Sequence, residues 1–316
     1  MSKFLGYPGL FSCKYCTNKM DLIGKIPQLN KKHVHINNPD KFNEILKQII
    51  EDGPSKLQVL SDFDKTITKQ HDNGKTHLSS FGIFEKCPSL TDEFVKTVDG
   101  LNKKYYPMEM DPHIPLKEKY QLMEEWWGQS ENALRGLVVS PKEMEVVCKQ
   151  LGPSLRDGTN IAFDMLHQEE VPVLVFSAGL GDIVKLVLNQ KDVLLPNVKI
   201  VSNFLKYNSE GVIEGFTAPA IHVFNKNEYA IKNTEFYNCI IDRTNVILLG
   251  DSIGDAKMAE GITHVNNVLK IGFLYERKEE ALPHYLDTFD VVLEDDQTMD
   301  VFISLLKCIF EKKLQI

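Results

Sequence analysis

Three apolar runs in this chain each stop abruptly in a cluster of oxygen-bearing side chains. Leu57-Gln58-Val59-Leu60 gives way to Ser61-Asp62-Phe63-Asp64-Lys65-Thr66. Val171-Pro172-Val173-Leu174-Val175-Phe176 gives way to Ser177-Ala178-Gly179, and Asn245-Val246-Ile247-Leu248-Leu249 to Gly250-Asp251-Ser252-Ile253-Gly254-Asp255. Runs of this kind read as strands buried on both faces, the pattern of a parallel sheet covered by helices. Polar residues at their carboxyl ends converge on one edge of the sheet, where open α/β folds bind ligands.

The rest of the chain agrees with that constraint. Beyond residue 155, strand patterns over 171–177, 198–203, 212–216, 245–250, 268–273 and 289–293 alternate with helical patterns over 181–190, 226–238 and 254–260. This predicts an α/β fold with a mostly parallel sheet. Gly211 and Gly215 bracket an antiparallel ribbon, expected at one edge. Asn38-Pro39-Asp40, followed by Phe42, Ile45, Leu46, Ile49 and Ile50, predicts a capped amphipathic helix that Asp52-Gly53-Pro54 ends. Residues 1–30, punctuated by glycine and proline, read as a loosely attached arm. Residues 70–155 differ, because their apolar spacing predicts helices over 91–106, 115–135 and 141–151. This insertion leaves the sheet at the edge that carries the acids. It is therefore expected to sit above that edge as a cap that excludes water and selects substrate. The expected organisation is an arm over 1–30, an α/β core over 31–69 and 156–316, and a helical cap over 70–155.

Asp62 and Asp64 can divide two tasks between them. One can attack phosphorus to give an aspartyl-phosphate, and the other can protonate the leaving oxygen and then activate water. Thr66 can bond the phosphate. Asp251 and Asp255 lie on a turn predicted to start a helix. Mg²⁺ is a hard cation that binds through one or two carboxylates plus substrate phosphate, a demand that Asp62 and Asp251 meet. Asp255 can hold a metal-bound water, orient Lys226, or cap the helix. Ser177, with the amides that follow it, offers a phosphate-binding nest, and Lys226 in Phe224-Asn225-Lys226 can neutralise charge on the transferred group. Each segment alone has an ordinary structural explanation as a turn, a cap or a solvated lysine. Together and in this order they point to metal-assisted phosphoryl transfer.

Composition narrows the partners. The net charge of −8 provides no basic field for a nucleic-acid polymer or an anionic membrane. The Phe4–Phe11 stretch is too short and too broken for a secretory leader, and no apolar run is long enough to span a bilayer. Of the six cysteines, Cys13 and Cys16 could form half a zinc site, but no second close pair follows. Reduced thiols in a cytoplasmic, monomeric protein are the expectation.

The order DxDxT, Ser, Lys, GDxxxD resembles the haloacid dehalogenase-like phosphotransferases over roughly 57–68 and 170–293. The resemblance implies a Rossmann-like core with a C1-type cap, Asp62 as nucleophile and Asp64 as acid/base. It also implies Mg²⁺ held by the Asp62 carboxylate, the Asp64 carbonyl and Asp251, with Asp255 behind them. The likeness to the cytosolic 5′-nucleotidase III family is closer and extends through the cap. It is carried by Lys103-Lys104-Tyr105-Tyr106-Pro107-Met108-Glu109-Met110-Asp111-Pro112, Glu118-Lys119-Tyr120, Glu125-Trp126-Trp127, Val201-Ser202-Asn203-Phe204 and Ile221-His222-Val223-Phe224-Asn225-Lys226. Carried over by position, Glu109 and Ser130 contact the base, while Ser177, Ala178 and Lys226 contact phosphate. Lys65 departs from the family pattern, where a Met is usual.

For the base, Trp126 and Trp127 are adjacent on one helix and cannot both face a ligand squarely. Trp126 shares the apolar stripe with Leu122 and Met123 and is expected in the cap core. That leaves Trp127 for the cleft, with Phe81 of the loop 79–82 as its partner. Two aromatic rings and an ionised Glu109 suit the cationic base of 7-methylguanosine monophosphate. The sequence is similar to the 7-methylguanosine phosphate-specific branch of the family, and CMP is expected as a second substrate. A general pyrimidine 5′-nucleotidase, a nucleoside phosphotransferase and a non-catalytic nucleotide-binding module are the competing readings.

Overall fold

The computed structural model describes residues 21–111, 113–226, 235–262 and 264–311. Cys13, Cys16, most of the expected arm and the middle of the expected 226–238 helix lie outside them. In chain order the strands are β1 (Val34–Ile36), β2 (Leu57–Ser61), β3 (His71–Asp72), β4 (Lys75–Thr76), β5 (Val173–Leu180), β6 (Val198–Asn203), β7 (Leu205–Tyr207), β8 (Ile213–Phe216), β9 (Asn245–Gly250), β10 (Asn267–Leu274) and β11 (Val291–Glu294). The helices are α1 (Leu22–Lys25), α2 (Pro39–Asp52), α3 (Ser80–Phe84), α4 (Asp92–Met110), α5 (Leu116–Leu134), α6 (Pro141–Leu151), α7 (Thr159–Gln168), α8 (Gly181–Gln190), α9 (Glu235–Ile240), α10 (Lys278–Thr288) and α11 (Asp300–Glu311).

Seven strands form one sheet in the order β1-β11-β10-β9-β2-β5-β6, parallel except where β1 runs against β11. Every residue of β2, β5 and β9 is buried, as the continuous apolar runs require. Side chains alternate across a strand, so each strand feeds two cores. Leu57, Val59, Val173, Ile247 and Leu249 join the core that Phe42 and Leu46 of α2 close. Leu60, Leu174, Val246 and Leu248 join the other, closed by Ile240 of α9 and Tyr285 of α10. The Asn38 side chain caps α2 by accepting from the Lys41 N–H, and Gly53 at φ 76° ends it, a left-handed position that suits glycine.

The insertion leaves and returns through a closed stem. Thr68 and Leu155 bridge, and the Lys69 N–H donates to the Ser154 carbonyl at 2.8 Å. Within the insertion, α4 and α5 pack on each other, whereas α3 and α6 pack on α8 of the core. Three expectations change. Residues 21–30 are not loosely attached, because Leu22, Ile26 and Leu29 are buried in the main core. The ribbon β7–β8 is separate from the main sheet and bonds to the segment after α5, through Gly136 N–H to Ile213 carbonyl (2.9 Å) and Ile213 N–H to Leu137 carbonyl (2.8 Å). The expected 254–260 helix shrinks to a 3-10 turn over Asp255–Lys257. The Asp255 side chain folds back on Ser252 there instead of starting a longer helix.

Candidate active site

Asp62 follows β2 with its N–H still bonded to the Leu249 carbonyl of β9 at 3.0 Å, so the sheet itself holds it in place. Its Oδ1 accepts from Lys226 Nζ at 2.5 Å, and the same ammonium donates to Asp255 Oδ1 at 2.8 Å. The other Asp255 oxygen accepts from the Ser252 N–H (3.0 Å) and hydroxyl (2.7 Å). Asp255 is thus engaged in holding Lys226 and the turn after β9. Among the described residues, the Asp251 carboxylate accepts one long bond, from the Thr66 hydroxyl at 3.4 Å.

Burial pushes the Asp62 carboxyl up to about 7, and the nearby charge on Asp255 adds to the rise that Lys226 opposes. Asp251 is raised well above the usual carboxylate range, by burial first and then by Asp62. For Lys226 burial works against the charge, but Asp255 and Asp62 outweigh it and hold the ammonium protonated. Oxygens of Asp62, Asp251 and Asp255 lie within 4.8 Å of one another. Buried carboxylates this close repel unless a cation joins them. One oxygen on Asp62 and one on Asp251 have no protein partner among the described residues, and a hard, oxygen-seeking divalent cation fits that donor set.

Asp64 turns away from this cluster. Its two oxygens accept from the N–H (2.8 Å) and hydroxyl (2.7 Å) of Ser80, at the start of α3. Burial raises its carboxyl and the Ser80 bonds oppose the rise. The Ser177 hydroxyl accepts the Gly179 N–H at 2.9 Å. Gly179 has to be glycine, because a Cβ there would overlap the Ser80 hydroxyl and press on Asp64. Nothing in the sequence distinguishes Ser80, since Ser79 already accounts for the helix cap by accepting the Gly82 N–H.

A cavity of about 1000 Å³ joins this floor to the cap. Asp62, Asp64, Ser177, Ala178, Lys226, Asp251 and Asp255 line its base, and Phe81, Glu109, Trp127 and Ser130 line its upper wall. Thr66 is the exception. Its side chain is fully buried and does not line the cavity, and its hydroxyl donates to Asp251 at 3.4 Å. Phe81 lies in α3, not in a loop. The tryptophans also differ from expectation. Both line the cavity, and Trp127 is the more buried at 9% exposure, with its indole N–H unpartnered. Trp126 stacks on Tyr105 of α4, centroids 5.7 Å apart, and meets Trp127 edge-on at 4.8 Å. The pair straddles the α4–α5 seam, so neither ring is shut away from the cavity. Glu109 departs from ordinary ionisation. Burial pushes its carboxyl up to about 7, with Asp255 adding and Lys226, Lys65 and Lys119 opposing. No described side chain donates to that carboxylate; Lys119 bonds the Glu109 carbonyl instead, at 2.6 Å.

The chain has an α/β architecture, a mostly parallel sheet with an acidic cluster beyond its strand ends. A probable phosphoserine phosphatase from Vibrio cholerae shares the fold at a TM-score of 0.50 and 14% identity, over 88% of this chain and 75% of that one. A much closer likeness, TM-score 0.87 and 44% identity over 92% and 97% of the two chains, is to the crystal structure of cytosolic 5′-nucleotidase IIIB bound to cytidine. The 7-methylguanosine phosphate-specific 5′-nucleotidase of Drosophila melanogaster is 45% identical over 90% of this chain and 89% of its own. The model of the pyrimidine 5′-nucleotidase (UMPH-1) family matches residues 65–310, and the chain belongs to that family.

Proposed function

We propose that the chain is a Mg²⁺-dependent 5′-nucleotidase that releases phosphate from 7-methylguanosine monophosphate and, as a second substrate, from CMP. The observation that carries this reading is one cavity with the carboxylate–lysine cluster at its base and, above it, Trp127, Phe81 and a Glu109 carboxylate to which no described side chain donates. The relatives named for 7-methylguanosine phosphate and the cytidine complex of a 44% identical structure support both substrates. The Asp62 and Asp251 carboxylates with the Asp64 carbonyl would hold the Mg²⁺, which when bound would neutralise charge on the phosphoryl group.

Asp62 attacks phosphorus and the bond to the nucleoside 5′ oxygen breaks, leaving an aspartyl-phosphate. Asp64, whose carboxyl is raised by burial against the Ser80 bonds, gives a proton to that leaving oxygen. It then takes a proton from the water that attacks phosphorus, and phosphate leaves Asp62. Lys226 holds the Asp62 carboxylate and balances charge on the phosphoryl group. Ser177 and Ala178 hold the phosphate, and the cap wall takes the base. The protein works as a cytoplasmic monomer, in keeping with relatives named cytosolic.

A phosphate-release panel over nucleoside monophosphates, with Mg²⁺ and with EDTA, tests the reading. Turnover confined to Mg²⁺ and highest for 7-methylguanosine monophosphate is expected. Equal kcat/KM for UMP and 7-methylguanosine monophosphate would transfer the assignment to a general pyrimidine 5′-nucleotidase, and no turnover would make it a binding module.

A further inference from the structure

Lys65 stands directly after Asp64 and takes a left-handed backbone conformation, φ 62°, unusual for a residue with a side chain. Its surroundings fix it there. The Lys65 N–H donates to the Thr68 hydroxyl at 2.7 Å, and the buried Arg156 guanidinium donates to the carbonyls of Lys65 (2.5 Å) and Thr66 (2.7 Å). The side chain runs along the cavity wall to Glu276, just after β10, where Nζ meets Oε1 at 2.8 Å. The other Glu276 oxygen accepts from the Tyr106 hydroxyl of α4 at 2.9 Å, and the Lys65 ammonium lies 5.7 Å from the centre of the Tyr106 ring. Each of the three therefore touches the other two. Two belong to the core and one to the cap. Glu109 follows Tyr106 by three residues on α4, on the same helix face, and both line the cavity.

We infer that Lys65, Glu276 and Tyr106 form a clasp that sets α4 down on the phosphate floor and thereby positions Glu109 against the base. The three are positioning residues, because none touches the reacting atoms. The clasp joins the loop that carries both catalytic carboxylates directly to the base wall. A nucleotide that seats its base is then gripped at both ends by one connected set of bonds. The inference rests on the reading of Glu109 as the acceptor for the base.

Tyr106→Phe removes only the hydroxyl. It is expected to raise KM for 7-methylguanosine monophosphate about tenfold, the loss of one hydrogen bond to a charged acceptor, with kcat changed less than about threefold. Turnover of p-nitrophenyl phosphate, which has no base to seat, should stay at the parent value. Lys65→Met should act in the same direction. Because both variants act through Glu276, the double variant should fall well short of the product of the single effects. Glu276→Gln keeps an acceptor for Tyr106 and should restore part of what Glu276→Ala loses. Faster amide exchange over α4 in Tyr106→Phe, with the melting temperature kept, would place the change in the cap. Parent KM in Tyr106→Phe, or single effects that multiply fully, would overturn the clasp. Glu109→Gln run alongside separates the two readings. If it alters base selectivity while Tyr106→Phe does not, the clasp fails and the base assignment stands. If it leaves selectivity unchanged, the base assignment itself fails.

Discussion

Replacing Glu109 by Gln separates what its buried charge costs the fold from what the base gains. The cavity raises this carboxyl from 4.5 to about 7. At about 1.4 kcal/mol per unit, holding the charge there costs at most about 3.5 kcal/mol. The side chain is only half-buried, so solvent screening reduces this to roughly 1–2 kcal/mol. The folded value lies above the unfolded one, so ionisation opposes folding. The cost is absent below pH 4.5, accumulates as pH rises, and is complete once pH passes about 7. Glu109→Gln removes it. At about pH 5 the variant should differ little from the parent, and at about pH 8 it should be more stable by roughly 1–2 kcal/mol, measured by urea unfolding without ligand. Catalysis should move the opposite way. The cationic base restores the missing counter-charge, so the variant should lose about 10- to 100-fold in kcat/KM for 7-methylguanosine monophosphate at pH 8, the range for a charge-assisted bond. UMP should lose less. Parent stability at both pH values, together with an unchanged ratio of the two substrates, would refute this account of Glu109.

Asp62→Asn should abolish turnover with the fold intact, and beryllofluoride or trapped phosphate should map to Asp62; a phosphopeptide from another carboxylate would reassign the nucleophile. Asp251→Ala should raise the Mg²⁺ needed for half-maximal rate by orders of magnitude, and full activity in excess EDTA would exclude the metal. Trp127→Ala should cost about 1–3 kcal/mol in kcat/KM for 7-methylguanosine monophosphate and less for UMP. Equal losses for every substrate would make Trp127 a packing residue, a role its burial in the cap core also suits.

The strand ends were the most legible part of the chain. Unbroken apolar runs leave one structural solution, and the side chains after them have one place to go. That is why Asp62, Ser177 and Asp251, each just after such a run, line one cavity, whereas Lys226 follows no strand and its place there was not legible from the runs. Burial in the cap was harder to read, because helical periodicity gives a face and not its partner. Trp126 and Trp127 both reach the cavity, since Tyr105 on a different helix takes the stacking surface of Trp126. Thr66 sits one residue past the left-handed Lys65, a backbone reversal that strand alternation cannot foresee. The Glu109 ionisation depends first on burial in the cavity and then on Asp255, far away in sequence. Ser80 and Glu276 carry no motif, and their roles exist only through the tertiary approach of Asp64 and Tyr106.

The stem at Thr68 and Leu155 makes the insertion exchangeable in principle, since β2 and β5 pair directly whatever length of chain lies between their ends. Loop closure grows only logarithmically with that length. The transplantable unit is nevertheless smaller than the insertion. α3 supplies Ser80 to Asp64, and α6 rests on α8, so both helices belong functionally to the floor. Recombination between relatives would therefore join most smoothly in the segments between α3 and α4 and between α5 and α6. A helical pair grafted there would bring a new base wall to an unchanged phosphate site. It would have to contribute a hydroxyl opposite Glu276, and a partner for the β7–β8 ribbon, to sit at the right height.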